Sequence, residues 1–136
     1  MSSYLTFYIV LKEENSKPIS LINYSRNTDV YQYFDEVIHP TFVGMGDEPK
    51  YTELTVSKVN EVISELKQDI TKATKRVSEY EKQAAGNAEL IEEIISQKEW
   101  IEDLEYSLRK IEFIRDIVQE ASYSWGSYNK VLCNVD

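Results

Sequence analysis

His39 is the only histidine of the chain and Cys133 its only cysteine. The two side chains best suited to proton shuttling and nucleophilic attack therefore occur once each. Acid–base or metal chemistry at a histidine needs partners at hydrogen-bond or ligand spacing, and none is spaced around His39. Next to Pro40 it reads as a structural loop residue. Cys133 follows Val131-Leu132 in an apolar, strand-like context, where a buried and inert thiol is expected; no second cysteine exists to share a metal or a disulfide. Gly44-Met45-Gly46-Asp47 has two glycines but no Lys-Ser or Lys-Thr after them, so it reads as a flexible loop rather than a phosphate cradle. The doublets Asp35-Glu36, Asp47-Glu48, Glu92-Glu93 and Glu102-Asp103 lack the alternating spacing of a calcium loop and read as solvated surface. No convergent catalytic set emerges, so the expectation is a protein that is not an enzyme and uses neither metal nor cofactor.

Two stretches are suited to binding. In Asn23-Tyr24-Ser25-Arg26-Asn27-Thr28, hydrogen-bonding side chains crowd the passage from a strand to a helix N-terminus. Arg26 there could hold an anion, with Tyr24, Tyr31 or Trp125 stacking on a nucleotide-like ligand. The plainer reading is a capping segment with Arg26 paired to a nearby acid. The second stretch is the aromatic tail Tyr123, Trp125 and Tyr128, which either caps a sheet or offers a binding surface.

The elements that would carry these residues can be read from charge and periodicity. Fifteen basic against 24 acidic residues leave a net charge of -9, which repels nucleic-acid phosphates and anionic membranes alike. Ten of the acids, with four bases, fall in residues 88–121, while residues 56–84 carry five acids and six bases. Neighbouring segments of opposite balance suit mutual pairing. From Val56 the apolar positions are Val56, Val59, Ile63, Leu66, Ile70, Ala73, Val77, Tyr80 and Ala84, at steps alternating between three and four residues. Leu90, Ile94, Gln97, Ile101, Leu104, Leu108, Ile111, Arg115 and Val118 repeat that period after Gly86-Asn87. Folding back at residue 87 brings each seam position of one helix opposite a seam position of the other, the mark of an antiparallel coiled-coil hairpin. This register also puts Lys67 near Glu105 and Arg76 near Trp100, an ion pair and a cation–π contact.

Residues 4–12 and 19–24 read as an antiparallel strand pair joined by Asn15-Ser16-Lys17-Pro18. Asn27 or Thr28 caps a short helix from Asp29 to about Val37, residues 39–52 read as loop, and Lys130 to Val135 as a possible third strand. The expected fold class is α+β: a small N-terminal antiparallel sheet and short helix docked on the base of a long helical hairpin. One domain spans residues 1–136, as a β-rich head (1–52), the hairpin (53–121) and an aromatic tail (122–136). Phe113, Ile114, Ile117 and Ala121 offer the apolar face for that docking, whereas Ile91, Ile95 and Trp100 have no partner within the chain. An oligomer, a dimer in the simplest case, would cover them. No apolar run reaches the length of a membrane span, and Tyr4–Leu11 lacks the basic flank of a signal peptide; a cytoplasmic protein is expected. The function expected first is a non-catalytic protein-interaction or inhibitor protein that self-associates through its hairpin. The alternatives are an oligomeric binder of a small anionic, nucleotide-like ligand, and an acidic decoy for a basic groove on another protein.

Overall fold

The computed structural model describes residues 3–43, 46 and 48–136. The Gly44-Met45-Gly46-Asp47 loop therefore lies, apart from Gly46, outside the described residues. Strands β1 (Tyr4–Leu11), rich in β-branched and aromatic residues, and β2 (Ile19–Ser25) pair antiparallel, with Tyr4 opposite Ser25 and Phe7 opposite Ile22. Thr28 ends this hairpin and opens helix α1 (Asp29–Val37) by accepting the Tyr31 N–H. At the far end of α1, His39 adopts φ +54° and donates its N–H to the Phe34 carbonyl. Histidine is among the few side chains that tolerate this left-handed conformation, so its place is that of a helix terminator before Pro40.

Helices α2 (Val56–Gln83) and α3 (Ala88–Glu120) form the antiparallel hairpin. Thr55 caps the first through the Lys58 N–H and Asn87 the second through the Leu90 N–H. Gly86 turns the corner at φ +75°. A methyl group there would meet nothing within 4 Å, so Gly86→Ala carries only the conformational penalty of the left-handed region. It is expected to destabilise the protein by about 1–2 kcal/mol, measurable as a lower midpoint in urea. None of the eighteen seam positions is exposed; Val59, Leu66, Ala73, Leu104 and Ile111 are fully inaccessible. Val62 and Ile114 widen the buried strip near the base.

The tail does more than close the head. Strand β4 (Tyr128–Val135) inserts between β1 and the two-residue β3 (Thr52–Glu53), giving the sheet order β2-β1-β4-β3. Residues 39–52, read as loop, thus hold the start of β3 and a parallel bridge from Phe42 to Val135. One sheet face carries Leu5, Phe7, Tyr24, Val131 and Cys133 into a core shared with Val30 and Phe34 of α1 and the hairpin base. Phe7 meets Phe34 and Tyr24 edge to face, with ring centroids 5.1 and 6.1 Å apart. Tyr33 ties α1 to α2 by donating its hydroxyl to Asp69 Oδ2 at 2.6 Å. Of the four residues expected at the docking face, Ile114, Ile117 and Ala121 join the core, but Phe113 is 58% exposed. The sheet covers one side of the helix base, and Phe113 lies outside it.

Candidate functional site

Helix α3 is apolar on two sides. One is the seam against α2. The other is a stripe of large side chains left in solvent: Ile91 is 46% exposed, Ile95 54%, Tyr106 60% and Phe113 58%. At 3.6 residues per turn these four fall within a sector of about 60°, roughly 150° round from the mean direction of the seam, and span about 33 Å of helix. A helix with two apolar faces is normally covered on both. Trp100, grouped with Ile91 and Ile95 in the sequence reading, is 38% exposed. It lies about 180° round the helix from Ile91, so the three do not share one surface.

Charge divides the stripe in two. Around its outer half, residues 88–103 carry Glu89, Glu92, Glu93, Glu99, Glu102 and Asp103 against Lys98 alone. Around its inner half, residues 104–118 balance Glu105, Glu112 and Asp116 with Arg109, Lys110 and Arg115. Lys110 lies between two rings, its Nζ 4.2 Å from the centroid of Tyr106 and 5.6 Å from that of Tyr24. This cation–π pair joins α3 to β2. Helical periodicity gave no sign of it, because only the packed fold brings Tyr24 to α3.

The expected contacts along the hairpin are replaced by others. Arg76 donates to Gln97 Oε1 at 3.4 Å instead of lying over Trp100, and Gln97 donates in turn to Glu93. Among the described residues the ion pairs are Lys98 with Glu81 at 3.0 Å and Arg115 with Asp116 at 3.4 Å. Lys67 and Glu105 line a common shallow groove without bridging it. Apart from the half-buried Gln97 and Arg115, these side chains are in water, where such contacts contribute about 0–1 kcal/mol.

The residues expected to hold an anionic ligand are not brought together. Tyr24 and Tyr31 are buried, with 8% and 7% exposure, as members of the core. Arg26 lies beside the start of β1, its N–H on the Ser3 carbonyl and its carbonyl accepting from Gln32. Among the described residues no acid pairs with its guanidinium. Trp125 belongs to the other end of that strand, where Leu11 faces Tyr128 and Lys12 donates to the Tyr123 and Ser124 carbonyls. The length of β1 separates the two ends by about 23 Å. Trp125 is 76% exposed and stacks on Tyr123 at 5.0 Å, whereas Tyr128 docks inward, its hydroxyl on the Ile117 carbonyl.

Among the described residues no group of three His, Cys, Asp or Glu side chains is placed to hold a metal ion. Burial pushes the Cys133 thiol up to about 12, well away from the range of a reactive thiolate. Asp29, at the start of α1, is also held above the usual carboxylate range, first by burial and then by the nearby Asp103 charge. No described helix is long and apolar enough to cross a membrane. No family model matches this chain, and comparison with curated proteins and with solved structures likewise gives no match.

Proposed function

We propose that this is a non-catalytic protein-interaction protein of the cytoplasm, acting as an adaptor or inhibitor and self-associating through the outer face of its helical hairpin. The observation that carries the reading is the solvent-facing stripe Ile91, Ile95, Tyr106 and Phe113 on α3. Isolated apolar residues on a surface are ordinary, but Ile91 with Ile95 and Tyr106 with Phe113 make two apolar pairs on one side of a helix already packed on its other, with Glu99 and Glu102 between them. The projecting half of the hairpin supports the reading. Two helices alone bury little more than their seam, and a second layer against Ile91 and Ile95 would stabilise them. Its acidic flank favours basic partners and disfavours nucleic acid. The lone exposed His39 and the buried Cys133 fit a protein without a reaction of its own.

Light scattering tests this directly. The natural chain is expected to give a multiple of 15.9 kDa at micromolar concentration. Ile91→Glu with Ile95→Glu is expected to lower that mass at least tenfold more readily on dilution, with helical circular dichroism unchanged, because both positions are already in water. A strictly monomeric natural chain, or a doubly substituted chain with the same mass at every concentration, contradicts the hairpin contact.

A further inference from the structure

The hairpin has two broad faces, and they differ in charge. Toward one, α2 turns Val62 and Asp69, which meet the core and Tyr33 of α1. Ser64 and Thr71 lie roughly 160° away on the helical wheel, on the face turned from the head. There a groove of about 530 Å³ runs between α2 and the base of α3. Lys67 and Lys72 of α2 and Arg115 of α3 line it, with Ser64, Gln68 and Thr71 among them, and no carboxylate does. In a chain with 24 acids to 15 bases, three cations around one acid-free groove are a departure from the rest of the surface. Among the described residues neither Lys67 nor Lys72 is in an ion pair. Arg115 has only its exposed sequence neighbour Asp116, at 3.4 Å. Cations gathered without counter-charges repel one another, and a bound anion relieves that repulsion.

We infer that this groove docks an acidic segment of another protein, a short run of Asp and Glu whose carboxylates sit on Lys67, Lys72 and Arg115. Shape and charge select that occupant. The groove is open and shallow and runs on into a second one, with which it shares Lys67 and Thr71. It would leave most of a small molecule in water, whereas small-ligand sites enclose their ligands. A chain laid along the hairpin fits such a trough. Nucleic acids and anionic membranes are extended polyanions, and they would meet the -9 charge of the whole chain as well as the groove. A short segment is spared most of this, because salt screens charges beyond about 8 Å. Glu105 and Glu112 line the second groove and confine the acidic run to the first. Arg115 anchors it. Its side chain is 31% exposed, so a carboxylate there is held partly out of water by a planar guanidinium that can donate twice. Ser64 and Gln68 add neutral donors, while the Thr71 hydroxyl is already given to the Lys67 carbonyl.

The inference rests on the reading above only in taking the chain to bind protein; the residues are different, and the hairpin becomes two-sided. Fluorescence anisotropy of a labelled oligoglutamate peptide, titrated with the full chain at about 0.15 M salt, tests it. Saturable binding is expected, and none to oligoglutamine of the same length. Lys67→Glu with Lys72→Glu is expected to weaken binding about tenfold or more, with helical circular dichroism unchanged because both side chains are exposed. Lys17→Glu with Lys130→Glu changes the net charge equally at exposed positions of the head and is expected to leave affinity within about twofold. No binding, or equal weakening by the two pairs, overturns the inference. RNA or phosphatidylserine vesicles that displace the peptide more readily than unlabelled oligoglutamate does overturn the choice of occupant. Ile91→Glu with Ile95→Glu is expected to leave peptide binding unchanged. If its mass is also unchanged, the hairpin contact falls and the groove stands; if its mass drops and the natural chain ignores the peptide, the groove falls and the hairpin contact stands.

Discussion

Phe34→Ala is expected to cost about 3–5 kcal/mol, a large share of the 5–15 kcal/mol typical of a domain. Phe34 is wholly inaccessible, and its ring meets Phe7 of β1 edge to face at 5.1 Å. It joins three layers, with α1 on one side, the sheet on another and the hairpin base behind. Removing it leaves a cavity that the stiff strands cannot close and also loses the aromatic pair. Urea denaturation followed by circular dichroism checks the value. Trp125→Ala provides the contrast: with its ring three-quarters exposed, it is expected to change stability by no more than about 0.5 kcal/mol. A loss under 1 kcal/mol for Phe34→Ala would mean that α1 is not seated on the sheet as described.

Alkali is expected to produce the second large effect. Cys133 has its thiol raised by burial from 9.0 to about 12. Tyr128 is raised from 10.0 to about 12, by burial first and then by its hydrogen bond to Glu120. Tyr33 is raised well above its ordinary value by burial and by its bond to the charged Asp69. In each case the folded chain holds a proton that the unfolded chain releases earlier. These three groups therefore leave stability unchanged from pH 7 to about 9 and lower it as pH rises from there toward 12. Once the unfolded thiol has ionised, Cys133 alone contributes a slope of about 1.4 kcal/mol per pH unit. Melting temperatures measured from pH 7 upward should be level at first and then drop steeply. Cys133→Ala should remove the part of the fall that begins near pH 9 and leave the tyrosine part, which begins near pH 10. A profile level to pH 11 contradicts the burial of these groups.

The hairpin was legible because its signal is local and repeated: two heptad seams, mirrored about one glycine turn, allow one pairing. Helix α1 was legible in the same way, through Thr28 and the face Val30, Tyr33 and Phe34. The strands could be placed but their order could not. Whether β4 pairs with β1, with Leu5 opposite Val135, depends on contacts across nearly the whole chain, which no local pattern encodes. That order also places Arg26 and Trp125 at opposite ends of β1. Phe113 was expected in the core because periodicity shows that a helix face is apolar but not whether another element reaches it. The edge position of β2 was invisible for a related reason: a strand's neighbours, not its sequence, make it an edge. The stripe on α3 was half legible. Ile91 and Ile95 stood out as unpartnered, but their continuation through Tyr106 and Phe113 emerged only once the sheet was seen to leave that side of the helix uncovered.

Native mass spectrometry of the full chain, sprayed from neutral volatile buffer as purified, is the most direct test that this is a protein built to bind protein. Discrete assemblies of whole 15.9 kDa chains carrying no extra small-molecule mass are predicted. A single chain holding a stoichiometric small ligand would contradict the account.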